Sequence, residues 1–336
     1  MSDAPAVPMP DTISIFLLDK LQRELEYLWP PGAEPIHEMS RYALLPPGKL
    51  LRPQLFMHSA KAVGGNPEPL LAAALSVEYL HVGSLIHDDV IDDDAIRRGR
   101  PSVQARYGVP GAIVSGDALM LRSISILVTH ATNHAPAASV IKAARMLAET
   151  GEGLCRGQAL EAKLCGDVRC GLSSYRSMVE QKTGALFQAS CEIGALLGGG
   201  AAPQVRALNR FGHHLGIAFQ MWDDLLSYVS GEERTGKPGR SDAANRRPTL
   251  PVLVGYDVAD EAGRAQFELA LSGKIPESDA HGLLLGLLDD SGALPLAEEM
   301  AARETQVAKS YLADLPDPDT AAELAALADA AIRRRG

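Results

Sequence analysis

The stretch LLAAALSVEYLHVGSLIHDDVIDDD, residues 70–94, decides the fold class. From Leu70 to Ile91 it is rich in alanine and leucine and poor in β-branched residues, so it reads as a buried helix. It ends in acid. Asp88, Asp89 and Asp92 fall at i, i+1 and i+4, which puts Asp88 and Asp92 on one face a single turn apart, with Asp93 and Asp94 prolonging the run. Carboxylates in apolar surroundings repel one another and lose hydration, so a cation must offset them. Acid–base chemistry needs only one or two. Several oxygen donors in a row suit Mg²⁺, which takes one or two carboxylates and leaves its other positions to water or phosphate. A lone Asp-Asp pair is usually a solvated helix end, but the preceding EYLHVGSLIH is too apolar for a solvent face.

The arrangement recurs in DDLLS, residues 223–227. Asp223, Asp224 and Ser227 repeat the spacing, with Gln220 one turn earlier. Two such helices facing each other line a cavity with carboxylates able to hold several Mg²⁺ ions around a diphosphate. The pairing is far more specific than either cluster.

Elsewhere the apolar residues also keep a helical period. Ile13, Phe16, Leu17, Leu21, Leu25 and Leu28 form an opening stripe closed by Pro30–Pro31. Further helices are expected near 115–131, 136–163, 173–197, 203–230, 248–258, 260–272, 279–289, 294–314 and 318–334. No alternation of β-branched residues is long enough for a sheet, so the expectation is an all-α chain in one domain, residues 1–336. Glycine and proline mark loops at 45–49, 64–69, 97–102 and 230–248. The last is long enough to be a lid.

With 46% hydrophobic residues the chain can bury a large core. Its net charge of −10 disfavours a nucleic-acid partner, although basic spots stand at 48–52, 97–100, 234–240 and 245–247. No apolar run of membrane-spanning length is free of charges or turn signals. The N-terminus lacks a secretory pattern, and Cys155, Cys165, Cys170 and Cys191 have no Cys-x-x-Cys spacing. A cytoplasmic protein with reduced thiols is expected.

Several separated blocks together resemble the trans-isoprenyl diphosphate synthase, or polyprenyl synthetase, family over about residues 42–254. They are GKLLRP (48–53), HVGSLIHDDVIDDDAIRRGRPSV (81–103), SGDAL (115–119), GQALE (157–161), QKTGALF (181–187), FQMWDD (219–224), TGKP (235–238) and TLPVL (249–253). The resemblance implies a helical bundle around a deep central cavity, a homodimer, and three Mg²⁺ ions. It implies that Asp88, Asp89 and Asp92 from one wall, and Asp223 and Asp224 from the other, ligate metal. Arg97, Lys182 and Lys237 would hold the diphosphate of an allylic substrate, with Thr183 and Gln220 beside its reacting end. Lys49, Arg52, His81 and Arg98 would bind isopentenyl diphosphate. Taken singly, His81 reads as a core histidine, Lys49 and Arg52 as a surface pair at a helix start, and Lys182 as exposed. Gln158, His213 and His214 read as helix-face residues without a role.

Four places depart from the family pattern. Ser227 replaces an aspartate, Glu161 an aspartate, Arg240 a glycine and Arg247 a lysine. Gly83 and Ser84 stand where short-chain members of the family carry a bulky aromatic. Two small residues suggest an open channel and a product of C20 or longer, geranylgeranyl diphosphate first among them. Two other functions fit part of the pattern. A class I terpene cyclase would explain DDLLS, but position 231 is Gly and Glu232 falls one residue late. A weakly active regulatory subunit would explain the reduced second motif, but not the full first one.

Overall fold

A computed structural model describes residues 12–229 and 245–332. Lys237, Arg240 and the 231–232 pair of the cyclase comparison lie outside the described residues. The helices are α1 (Thr12–Leu28), α2 (Pro35–Leu44), α3 (Leu51–Ala62), α4 (Leu71–Ile91), α5 (Val103–Ala131), α6 (Ala137–Leu164), α7 (Gly171–Val179), α8 (Ala185–Leu197) and α9 (Ala202–Val229). They continue with α10 (Leu250–Val258), α11 (Glu261–Leu271), α12 (Glu277–Asp290), α13 (Ala293–Ser310) and α14 (Pro318–Ile332). The all-α expectation holds.

The helices cluster around three patches of core. One joins α1 to α6 and α8 around Tyr79, Phe56 and Leu119. A second gathers α7 and α10 to α13 on α9 around Tyr175, Ile217 and Phe267. The third holds α14 and the end of α13 against α3, α8 and α9. Helix α9 belongs to both later clusters, so α10, α13 and α14 pack on the element that carries DDLLS.

Two helices have no clear mark in the sequence pattern. In α3 the run from Pro53 to Ala60 is buried throughout, so no polar stripe marks its period. Helix α2 is short and starts on Pro35. Helix α5 begins at Val103 rather than 115 because it carries a kink at Gly108, φ 80°, just before Pro110. The expected helix 173–197 is interrupted by a π-helical turn, Glu180–Gly184.

The expected loop at 97–102 is a tight antiparallel hairpin, β1 (Ile96–Arg97) against β2 (Arg100–Pro101). Its two turn residues, Arg98 (φ 53°) and Gly99 (φ 73°), are both left-handed, as a two-residue hairpin turn demands.

Two segments, Glu68–Ile91 and Val103–Ala131, are after all long and apolar enough to cross a membrane. In the first, 72% of the apolar window is buried inside the fold, which makes it a core helix. In the second only 39% is buried. Val114 and Leu121 of α5 are exposed by 50% and 71%.

Candidate active site

Helix α4 carries the first acidic cluster at its C-terminal end. Asp92 caps it, with its N–H donating to the Asp88 carbonyl at 2.8 Å. Burial raises the Asp88 pKa; Lys182 and Arg97 oppose this, while Glu161 and Asp92 add to it. Lys182 Nζ, from the π turn, donates to Glu161 Oε2 of α6 at 2.5 Å. Arg247, which precedes α10, donates to both oxygens of Asp92 at 2.7 and 2.8 Å and lies 3.5 Å from the same Glu161 oxygen. Asp88, Asp92, Glu161, Lys182 and Arg247 therefore meet in one network of alternating charge. Four elements distant in sequence supply it.

Thr183, beside Lys182 on the π turn, donates to Gln220 Oε1 at 2.8 Å. Gln220 passes the chain on, donating to Asp224 Oδ1 at 2.9 Å. Asp224 Oδ2 accepts from the Tyr175 hydroxyl at 2.7 Å and from the Leu250 N–H at 3.0 Å, at the first turn of α10. Asp224 is 7% exposed and both of its oxygens are engaged. It anchors a helix N-terminus, where a carboxylate is favoured.

Asp89 has a parallel fate. It is 2% exposed, and its Oδ1 accepts Nε of Arg97 at 2.8 Å and Nη2 of the same guanidinium. Asp89 and Asp224, both expected as metal ligands, are thus each engaged by protein partners. The second aspartate of each pair is a buried counter-charge that holds a neighbouring element. Asp88, Asp92 and Asp223, all part-exposed, remain as candidate donors. Ser227 Oγ lies 3.5 Å from the Asp223 carbonyl, one turn back on its own helix.

A second cationic group gathers one to three turns upstream on α4. Glu78 is 3% exposed, and Arg98 approaches it to 4.0 Å. Burial raises its pKa, and the charges of Arg52 and Arg98 oppose the rise. Arg52 also stacks over Phe187, 4.6 Å from the ring centroid. Gly48 leaves room for this group, because a Cβ there would sit 2.9 Å from Arg98 Nη2. Gln54 donates to the Lys49 carbonyl at 2.7 Å, while the Lys49 side chain is exposed. His81 is one turn above Glu78 on α4, and its carbonyl accepts from Ser84 Oγ at 2.8 Å. Sequence reasoning misses Glu78. Its signal is one acid inside the apolar run of α4, where an unpaired charge is too costly to keep.

Gly83 does not open a channel. It is buried against α5, where a Cβ would stand 3.0 Å from both the Gly116 carbonyl oxygen and Met120 Cγ. Across the same contact, His87 covers Gly116 so closely that a Cβ there would lie 2.3 Å from His87 Nε2. These glycines let α4 and α5 approach. Ser84 is half-buried and remains as the candidate length-setting position.

The family model for polyprenyl synthetase matches residues 33–281. That is most of the chain, and it includes both acidic helices. The chain belongs to the polyprenyl synthetase family. Over 90% of its length this synthetase is 33% identical to a short chain isoprenyl diphosphate synthase of Methanothermobacter thermautotrophicus, 91% of which is covered. It is 39% identical to a geranylgeranyl diphosphate synthase of Methanosarcina mazei over 67% of this chain and 68% of that one. Its fold superposes with TM-score 0.87 on a polyprenyl synthase from Caulobacter crescentus, solved with calcium and isoprenyl diphosphate, at 27% identity and 96% coverage of both chains. The synthetase is a trans-prenyltransferase of isoprenoid biosynthesis.

The donors suit a hard divalent cation. Asp88, Asp92 and Asp223 offer only carboxylate oxygen, the donor such a cation prefers. Among the described residues no three His, Cys, Asp or Glu side chains form a closed metal cage.

Proposed function

We propose that the synthetase condenses an allylic diphosphate with isopentenyl diphosphate and releases a trans-polyprenyl diphosphate of C20 or longer. The carrying observation is the presence of two separate cationic groups along α4. Arg52 and Arg98 surround Glu78, whereas Lys182 and Arg247 accompany Asp88 and Asp92. Two diphosphates need two such groups. A terpene cyclase, which ionises one diphosphate, has no use for the Glu78 group.

On this reading Asp88, Asp92 and Asp223 hold Mg²⁺, which as a Lewis acid would draw charge from the leaving diphosphate. Lys182 and Arg247 grip that diphosphate, with Arg supplying a planar fork where lysine would supply a point charge. Lys237 belongs to the same proposal by resemblance alone. The Thr183–Gln220 pair presents polar oxygens beside the reacting carbon. Lys49, Arg52, His81 and Arg98 orient the second diphosphate so that its double bond faces that carbon.

A homodimer through α5 is supported by the apolar side chains that α5 leaves exposed, Val109, Ile113, Val114 and Leu121. A cytoplasmic location is supported by four cysteines that form no disulfide. Incubation of the protein with Mg²⁺ and allylic diphosphates, with and without isopentenyl diphosphate, tests the function by product mass. Elongation only in the presence of isopentenyl diphosphate is expected. Cyclic hydrocarbon formed without it, or no product at all, would overturn the proposal.

A further inference from the structure

The π turn Glu180–Gly184 is the least regular part of an otherwise long helix, and it presents Lys182 and Thr183 to the site. One residue more than an α-turn rotates the downstream helix by about 100° relative to an unbroken one. Such a turn persists only if its surroundings hold it. Two sides are closed by backbone. A Cβ on Gly157 of α6 would lie 2.4 Å from Lys182 N, and one on Gly216 of α9 would lie 2.6 Å from Gly184 Cα.

The remaining side carries a charged network that the proposed chemistry does not use. Arg176 Nε donates to Glu180 Oε1, the first residue of the π turn, at 3.0 Å. Its two terminal nitrogens donate to the two oxygens of Glu304 on α13, at 3.1 and 3.0 Å. His214 Nδ1 of α9 pairs with Glu304 Oε1 at 2.7 Å, and its ring stacks on Tyr311 at 5.5 Å. His213 Nε2 stands 3.7 Å from the same Glu180 oxygen. Burial would raise the Glu304 pKa, but the hydrogen bonds from His214 and Arg176 bring it down to about 2, so the carboxylate is ionised. The two histidines that carry no role in the sequence thus join a bridge running from α13 and α9 to the first residue of the π turn.

We infer that Glu304, through Arg176 and Glu180, is a positioning residue: with His214 it fixes the π turn from outside so that Lys182 and Thr183 meet the allylic diphosphate. The inference rests on the reading of Lys182 and Thr183 given above. Arg176 is half-exposed, but its bidentate fork to a 12% exposed Glu304 fixes geometry as well as charge.

The test uses the full chain carrying Glu304→Gln or Arg176→Lys. Amide hydrogen exchange of residues 180–187 is followed without substrate, and the KM for each diphosphate is then measured. Loss of a charge-assisted contact predicts exchange in this segment faster by about tenfold, with the rest of α8 unchanged. The allylic KM should rise by roughly tenfold while that for isopentenyl diphosphate stays within about twofold. Arg176→Lys, which keeps the charge and loses the fork, should fall between wild type and Glu304→Gln. Exchange at 180–187 unchanged in either folded variant overturns the inference, as does an equal rise in both KM values. If Glu304→Gln fails to fold, Arg176→Lys alone decides. If the wild type elongates nothing, the reading of Lys182 falls, while the exchange data still decide whether the network holds the turn.

Discussion

Gly157→Ala places one methyl group against the turn that carries Lys182. An ideal Cβ at this position meets Lys182 N at 2.4 Å, Lys182 Cα at 2.7 Å and Lys182 Cβ at 2.8 Å. Ordinary contact begins at 3.4 Å, so one of the two backbones must retreat by about 1 Å. Overpacking of this kind costs about 1–3 kcal/mol. Alanine returns about 1 kcal/mol of that by favouring the helix over glycine. The net loss of about 0–2 kcal/mol lowers the melting temperature by no more than about 8 °C. The effect on activity is larger, because a 1 Å displacement of a reacting group costs about a hundredfold in rate. Steady-state elongation should therefore show kcat/KM for the allylic diphosphate down about a hundredfold in a protein that is still folded. Gly151→Ala is the control on the same helix. Its Cβ would meet only Leu80 Cδ1, at 3.5 Å, so stability should rise slightly and kinetics should not change. Wild-type kinetics in Gly157→Ala would refute the reasoning, since α6 would then yield without moving Lys182.

Ser84→Phe should shorten the product as judged by mass, whereas Gly83→Phe should chiefly destabilise the α4–α5 contact and lower the melting temperature; a stable Gly83→Phe with shortened product would contradict this packing. Glu78→Gln removes the buried counter-charge of Arg52 and Arg98, so the KM for isopentenyl diphosphate should rise about tenfold with the allylic KM little changed. The Glu304 carboxyl is held at about 2, below its ordinary 4.5, so its pairing stabilises the fold fully above pH 4.5 and is lost as pH falls towards 2. The denaturation midpoints of wild type and Glu304→Gln should converge across that window, and a constant gap would argue against the pairing. Ser227→Asp should lower the Mg²⁺ concentration for half-activity, and an unchanged or higher requirement would show that Ser227 does not weaken a metal site.

The sequence by itself determined the class of architecture, because helical period, helix-forming composition and acidic clusters at i, i+1 and i+4 are local properties of α4 and α9. It also singled out Asp88, Asp92, Gln220 and Asp223, whose spacing is the same in any fold that keeps those helices, whereas Lys182 came only from the family resemblance. What it left undecided was the partner of each charge. Asp88 and Asp89 are neighbours with one chemistry, yet only the packed chain turns Asp89 onto Arg97 and leaves Asp88 among Lys182, Glu161 and Asp92. The same division separates Asp223 from Asp224, which holds the start of α10. Gly83 looked like an open channel because a missing side chain cannot say whether cavity or helix lies opposite; α5 lies there. Glu304 is 124 residues from Glu180, and the two meet only through Arg176 across packed helices. Such contacts depend on how helices cross, and helix crossing is set by the whole core rather than by any one stretch.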